Sequence, residues 1–121
     1  MYYGFYAGEF AIQKMLINCF PEQLEGRDPF DAGLFLAGLG HVREVTGRRD
    51  IGVHIAYVAQ RNKEMVPTIG LDVGQVTFIV GLFPLEQEAY LNRPTQEEVD
   101  MLAEMFGTKP TWWEIAQLTD L

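Results

Sequence analysis

Cysteine and histidine are scarce in this chain of 121 residues, which contains one cysteine and two histidines. The lone thiol of Cys19 cannot form an intramolecular disulfide, and it cannot supply the set of thiolates that holds structural zinc or an iron–sulfur cluster. We therefore expect a protein of a reducing, cytoplasmic environment that carries no cofactor. Cys19 falls on the apolar stripe of a predicted helix, which favours a packing thiol over a nucleophile.

Long hydrophobic runs and known catalytic motifs are missing as well. No apolar segment approaches the ~20 residues that cross a bilayer, and residues 1–6 lack the basic flank of a secretory signal. The sequence has no glycine-rich phosphate loop, no Gly-x-Ser-x-Gly, no His-Glu-x-x-His and no calcium loop. We expect no membrane association, and no particular enzymatic mechanism is indicated.

Basic residues are few: nine Lys and Arg stand against 17 Asp and Glu, for a net charge of -8. Positive charge gathers between residues 41 and 63, whereas the segment after Pro84 is acidic. This balance repels phosphate backbones and favours basic partners, although the local basic cluster could hold an anion. Nucleic-acid binding is therefore disfavoured.

Hydrophobic residues make up 48% of the chain and charged residues 21%, which are values typical of globular proteins. With this length, we expect one domain over residues 1–121. Hydrophobic periodicity predicts an α+β fold with a sheet of three or four mainly antiparallel strands. The predicted strands cover about 51–60, 65–71 and 75–83, with residues 2–6 as a further strand or a packed aromatic arm. The predicted helices cover about 8–20, 29–46, 96–106 and 112–119.

The segment 29–46 carries conflicting signals. Asp28 and Pro29 suit an N-cap followed by proline at the first helical position, and Gly47 suits a left-handed helix end. A helix here places small residues on one face, suited to close contact with a neighbour: Gly33, Ala37 and Gly40. A strand over residues 33–39 is the alternative.

The middle and last predicted strands differ in their surroundings. Pro67 favours an edge position for the strand at 65–71, since proline cannot donate to a ladder. Residues 76–83 are apolar on both faces, which predicts a strand covered on both sides.

The C-terminal third contains the same capping signal twice. Thr95 and Glu98 fit a capping box in which each side chain bonds to the other residue's backbone amide. Thr111 and Glu114 repeat the spacing, and Gly-Thr-Lys-Pro lies between the two predicted helices. The pattern predicts a C-terminal helical hairpin.

Two tryptophans begin the last predicted helix. Adjacent helical residues diverge by about 100°, so both indoles cannot face one core. Tryptophan and methionine are frequent in binding surfaces. We therefore assign a candidate protein-interaction surface to the hairpin residues Trp112, Trp113, Met101 and Met105.

The basic cluster supplies a candidate anion-binding set, because guanidinium groups clamp phosphates and carboxylates. The set comprises Arg43, Arg48, Arg49, His41 and His54. The alternative is that the arginines are solvated loop charges or pair with the acidic C-terminal segment. A metal site built from the histidines with Asp50 or Glu44 is disfavoured, and we expect none.

Three functions follow in order of preference. The first is a non-enzymatic interaction or regulatory module whose C-terminal hairpin contacts a protein partner or its own copy. The alternative is a protein, or a small enzyme, that binds an anionic small molecule in a pocket between helices and sheet. The last is nucleic-acid binding through a degenerate helix-turn-helix, which lacks Lys and Arg on its reading helix.

Overall fold

The computed structural model describes residues 1–24, 26–65 and 69–116, and it confirms the α+β prediction with a four-stranded antiparallel sheet. The strands are Tyr2–Tyr6 (β1), Gly52–Tyr57 (β2), Val76–Pro84 (β3) and Thr111–Ile115 (β4). The helices are Ala11–Cys19 (α1), Pro21–Leu24 (α2), Ala32–Thr46 (α3), Gln87–Leu91 (α4) and Gln96–Phe106 (α5), and a 3-10 helix covers Gln60–Met65. Within these ranges, no helix has the length and apolarity needed to cross a membrane.

The sheet closes on itself in the order β1-β3-β2-β4, because β4 pairs with both β2 and β1. Tyr3 of β1 lies opposite Phe83 on one side and opposite Trp112 on the other. On the far side, Ala56 of β2 lies opposite Ile115. Each of the four strands therefore has two neighbours.

The two faces of the closed sheet carry separate apolar clusters, because successive strand residues point to opposite faces. The outer face packs against α1, α3 and α5, with Phe5, Val80, Ile12, Val42 and Leu102 among its buried residues. The inner cluster contains Ala56, Val58, Ile69, Ile79 and Trp113. The prediction that β3 is covered on both faces is confirmed for residues 79–83.

The predicted C-terminal hairpin is wrong. Its first helix, α5, begins and ends as predicted, and both bonds of its capping box are present. Its second helix is replaced by β4, in which Thr111 lies opposite Gly4 in the ladder with β1 rather than capping a helix. Thr, Trp and Ile favour strands, and two neighbouring strands supply the pairing. Residues 117–119 of the predicted helix lie outside the described residues.

The predicted strand at 65–71 is also wrong. The 3-10 helix ends at Met65, and residues 70–75 form a loop. This loop returns to the sheet beside Val58, whose amide donates to the Gln75 carbonyl and whose carbonyl accepts from the Gly74 amide. Residues 66–68, including the predicted edge proline Pro67, lie outside the described residues.

Residues 32–46 form one helix, α3, which begins three residues later than predicted, and the alternative strand over 33–39 is wrong. The helix begins at Ala32 because the carboxylate of Asp31, not that of Asp28, accepts from the Gly33 amide at 2.8 Å. Gly47 ends it in the left-handed conformation, as predicted. The segment at residues 2–6, left open between strand and arm, is β1.

Candidate functional site

An aromatic row crosses three strands at one end of the outer face. Tyr3, Phe83 and Trp112 are cross-strand neighbours, with ring centroids 5.4 Å apart for Tyr3–Phe83, 5.2 Å for Tyr3–Trp112 and 5.5 Å for Phe83–Trp112. Such pairs add to the stability that burial provides. Phe83 is buried, whereas Tyr3 and Trp112 are partly exposed. The three rings form the floor of a groove.

Helix α4 and the loop that follows it form one wall of this groove. The Tyr90 ring, 47% exposed, meets Phe83 edge-on at 6.3 Å. The Arg93 guanidinium lies 4.0 Å from the centroid of the Tyr90 ring, and its Nη1 donates to the Tyr90 carbonyl at 2.8 Å. The groove has a volume of about 500 Å³, and the rest of its lining consists of Leu91, Pro94, Thr95, Gln96 and Val99.

The loop between α4 and α5 is held by polar contacts behind the groove. Arg48, just after α3, donates through Nη1 to the Asn92 carbonyl. At the start of α5, the Thr95 amide donates to the Glu98 carboxylate at 2.9 Å, and this bond lowers the pKa of Glu98. These bonds tie the loop to α3 and α5, and the Glu98 carboxylate is engaged in the helix cap.

The lining of the groove has an unusual charge for this chain. Among the described residues, the lining contains one cation, Arg93, and no carboxylate, although the chain has 17 acidic residues. Guanidinium groups bind carboxylates through paired hydrogen bonds, and aromatic rings bind apolar groups. The groove suits a ligand that places an apolar group beside a carboxylate.

The four predicted interaction residues do not form one surface. Trp112 lies in the groove, whereas Trp113 is fully buried inside the sheet and its Nε1 donates to the Gly4 carbonyl at 3.1 Å. Met101 is exposed on α5, and Met105 packs partly buried against the outer cluster. The indoles do face different surroundings, but the cause is alternation along a strand rather than divergence around a helix.

The three predicted anion-binding arginines have separate surroundings. Arg43 donates through Nε to the Ile51 carbonyl at 2.7 Å, which ties α3 to the start of β2. Arg48 holds the loop at Asn92, and its Nε is buried without a partner among the described residues. Arg49 is exposed. Arg43 and Arg48 therefore have structural roles as backbone clamps.

The two histidines also lie apart. The His41 ring on α3 meets Phe20 edge-on at 5.0 Å. The His54 ring on β2 stacks on Tyr2 at 4.2 Å inside the sheet, where burial lowers the pKa of His54. These contacts do not draw the five candidate residues together, and an anion site built from them stays a prediction.

Sequence reasoning missed four residues of the groove: Tyr3, Phe83, Tyr90 and Arg93. The spacing of Tyr90 and Arg93, three residues apart, suits a cation over a ring and was available as a weak signal. The row of Tyr3, Phe83 and Trp112 depends on strand register, which the sequence does not display.

Other kinds of site find less support. Among the described residues, no group of three or more His, Cys, Asp or Glu side chains could hold a metal ion. Comparisons of the chain with protein-family models, with curated proteins and with solved structures give no significant match.

Proposed function

We propose that this protein is a non-enzymatic binding module that holds a segment of a partner protein in the aromatic groove. The segment presents an apolar side chain to the rings of Tyr3, Phe83 and Trp112 and a carboxylate to Arg93. The observation that supports this proposal is the row of rings beside Arg93, in a lining whose described residues include no other cation and no Asp or Glu.

Energetic considerations favour a recognition role for these residues. Trp, Tyr and Arg dominate binding energies at protein interfaces, and Trp and Tyr offer large contact areas with few rotatable bonds. Arg93 is already oriented by the Tyr90 ring and carbonyl, so little of its conformational freedom remains to be lost on binding.

The shape of the groove favours a protein segment over a small anion. Small-molecule sites enclose about 70–90% of their ligand. This groove is open to solvent, and its rim continues onto the exposed side chains of Tyr90 and Leu91. Recognition by side chains is also expected because β1 to β4 each have two neighbours and offer no edge for an added strand.

A random peptide library displayed on phage tests the proposal. Selection on the wild-type protein is expected to enrich peptides with an apolar residue or proline next to Asp or Glu. Trp112→Leu is expected to raise the dissociation constant of a selected peptide by more than about 10-fold. Arg93→Gln is expected to raise the dissociation constant about 2- to 5-fold, and only for peptides that contain the Asp or Glu residue.

Met101→Ala is the matched control, because Met101 is exposed but does not line the groove. Wild-type affinity in this variant, with losses in the two groove variants, supports the proposal. Failure to enrich any consensus, or equal binding by Trp112→Leu with its fold intact by circular dichroism, overturns it. A dimer that Trp112→Leu abolishes in light scattering also overturns it, since the groove then belongs to a second copy.

A further inference from the structure

A second cavity lies at the other end of the outer face, between helices α1 and α3 and strands β2 and β3. It has a volume of about 340 Å³ and shares no residue with the aromatic groove. Its apolar walls come from Ala7, Phe10, Phe35, Val53 and Phe78. Gly8 and two polar side chains, those of Gln13 and Glu9, complete the lining.

Gln13 is the unexpected member of this lining. It lies on the buried face of α1 between Ile12 and Met15, and only 8% of its surface is exposed. Its carboxamide offers two donors and an acceptor, yet it makes no hydrogen bond to another side chain or to the backbone within the described residues. Its nitrogen and oxygen are not among the fully buried unpaired atoms of the described residues, so they open to the cavity, where a ligand can bond to them.

The cavity mouth is shaped by an uncommon backbone conformation. Glu9 and Phe10 both have positive φ angles, 52° and 61°, which non-glycine residues rarely adopt. The turn places the Phe10 ring, 39% exposed, at the cavity, where it meets Phe30 edge-on at 4.4 Å. Phe78 is also half exposed there. Aromatic rings are thus accessible to a molecule that enters.

We infer that this cavity binds a small, neutral heteroaromatic molecule whose edge carries an N–H donor next to a carbonyl acceptor. The phenylalanine rings stack on the flat ring, and the Gln13 carboxamide pairs with its polar edge through two hydrogen bonds. The volume lies near the lower end for ligand pockets, which limits the ligand to one or two fused rings.

The lining also excludes competing ligand classes. Within the part of the chain that the structure describes, no basic residue lines the cavity and the Glu9 carboxylate does, so an anion is repelled. A wholly apolar molecule fills the space but leaves the Gln13 carboxamide without a partner. The inferred ligand therefore differs from both the anion expected from the sequence and the acidic segment assigned to the groove.

Nuclear magnetic resonance of the full chain labelled with nitrogen-15 tests the inference with three probes. The cyclic amide 2-pyridone is expected to bind and to shift the side-chain amide signals of Gln13. Toluene, which has no polar edge, is expected to bind about 10-fold more weakly. Benzoate, which is anionic, is expected not to bind.

The variant Gln13→Leu gives a second readout that a purely structural glutamine does not produce. This change leaves Glu9 as the one charged or amide-bearing side chain among the described lining residues, so toluene is expected to bind at least as tightly as 2-pyridone. The melting temperature of this variant is expected not to fall, because the Gln13 carboxamide makes no hydrogen bond within the described residues that the change would remove. Gln60→Leu, which removes an exposed amide outside the cavity, is the matched control and is expected to retain wild-type binding.

Absence of any shift in the Gln13 signals at millimolar 2-pyridone overturns the inference. A lower melting temperature for Gln13→Leu, with the order of probe affinities unchanged, overturns it as well, since the amide then has a structural role. Trp112→Leu is expected to bind 2-pyridone like the wild type, so failure of the groove proposal leaves this result unaffected.

Discussion

His54 shows how the closed sheet changes the chemistry of a single residue. Its side chain points into the sheet, where it stacks on Tyr2 beside Gly81 of β3. A Cβ on Gly81 would come within 2.6 Å of the His54 ring, so the glycine makes room for the stack. Burial disfavours the imidazolium and lowers the pKa of His54.

This lowered pKa predicts a pH-dependent loss of stability. An unfolded histidine has a pKa of about 6.5, so below this pH the unfolded chain binds a proton that the folded chain still rejects. The contribution of His54 is therefore complete above about pH 7 and falls as the pH decreases toward the lowered value. Melting temperatures measured from pH 8 to pH 5 are expected to fall less steeply for His54→Gln than for the wild type.

The variant also separates charge from packing. At pH 8 the histidine is neutral, so any difference between His54→Gln and the wild type there reports the lost stack on Tyr2. Parallel melting curves for the two proteins over the whole range would show that His54 does not titrate differently in the two states.

At the scale of elements, helix α3 shows which of its small residues meets a neighbour. The predicted small face of Gly33, Ala37 and Gly40 is not the contact: all three residues are exposed, and a Cβ on Gly40 meets nothing within 4 Å. The close approach occurs at Gly38, where a Cβ would lie 2.6 Å from Ile12 Cγ2 and 3.1 Å from the Ile12 carbonyl oxygen. Helix α1 therefore crosses α3 at Gly38.

This contact predicts opposite effects for two neighbouring substitutions in one helix. Gly38→Ala is expected to lower the free energy of unfolding by about 1–3 kcal/mol, because Ile12 and its backbone must move. Gly40→Ala, the matched control, is expected to raise it by about 0.4–1 kcal/mol, since alanine restricts the unfolded chain and meets open space. Urea unfolding measures both. Equal effects of the same sign would contradict the crossing.

Strand β4 and helix α5 carry the same local capping signal and adopt different structures. In α5 the Thr95–Glu98 box forms as its spacing predicts, and the apolar residues Val99 and Leu102 face the outer cluster. In β4, the sequence Thr-Trp-Trp-Glu-Ile suits a strand as well as a helix start, and the ladders with β1 and β2 decide between them. A capping motif therefore predicts a helix only where no sheet competes for the segment.

At the scale of the whole molecule, β4 closes the sheet and places Trp113 against the inner cluster. Without it, β1 and β2 each lose one of their two neighbours, and Ala56, Val58 and Ile79 lose the indole that covers them. Full removal of a buried tryptophan side chain alone costs about 3–5 kcal/mol, a large part of the about 5–15 kcal/mol that stabilises a typical domain.

A chain that ends after Lys109 is therefore expected to lose its cooperative thermal transition in circular dichroism. A chain that ends after Ala116 retains the whole of β4 and serves as the control, with a cooperative transition expected. Cooperative unfolding of the shorter chain near the wild-type temperature would show that the sheet is stable while open.

The sequence alone determined the features that depend on local chemistry. It predicted the α+β class, the bounds and cap of α5, the left-handed end of α3 at Gly47, and a strand at 76–83 covered on both faces, which the structure confirms over residues 79–83. Each of these depends on residues within a few positions of one another, through a hydrogen bond, a backbone conformation or a run of apolar side chains.

Only the tertiary structure decided how distant segments meet. Strand register brings Tyr3, Phe83 and Trp112 into one row, although they lie far apart in the chain. Closure of the sheet buries Trp113 and leaves Trp112 at the groove, and the crossing of α1 over α3 positions Gln13 at the second cavity. These arrangements arise because burial of apolar surface acts between any residues that can approach, whatever their separation in sequence.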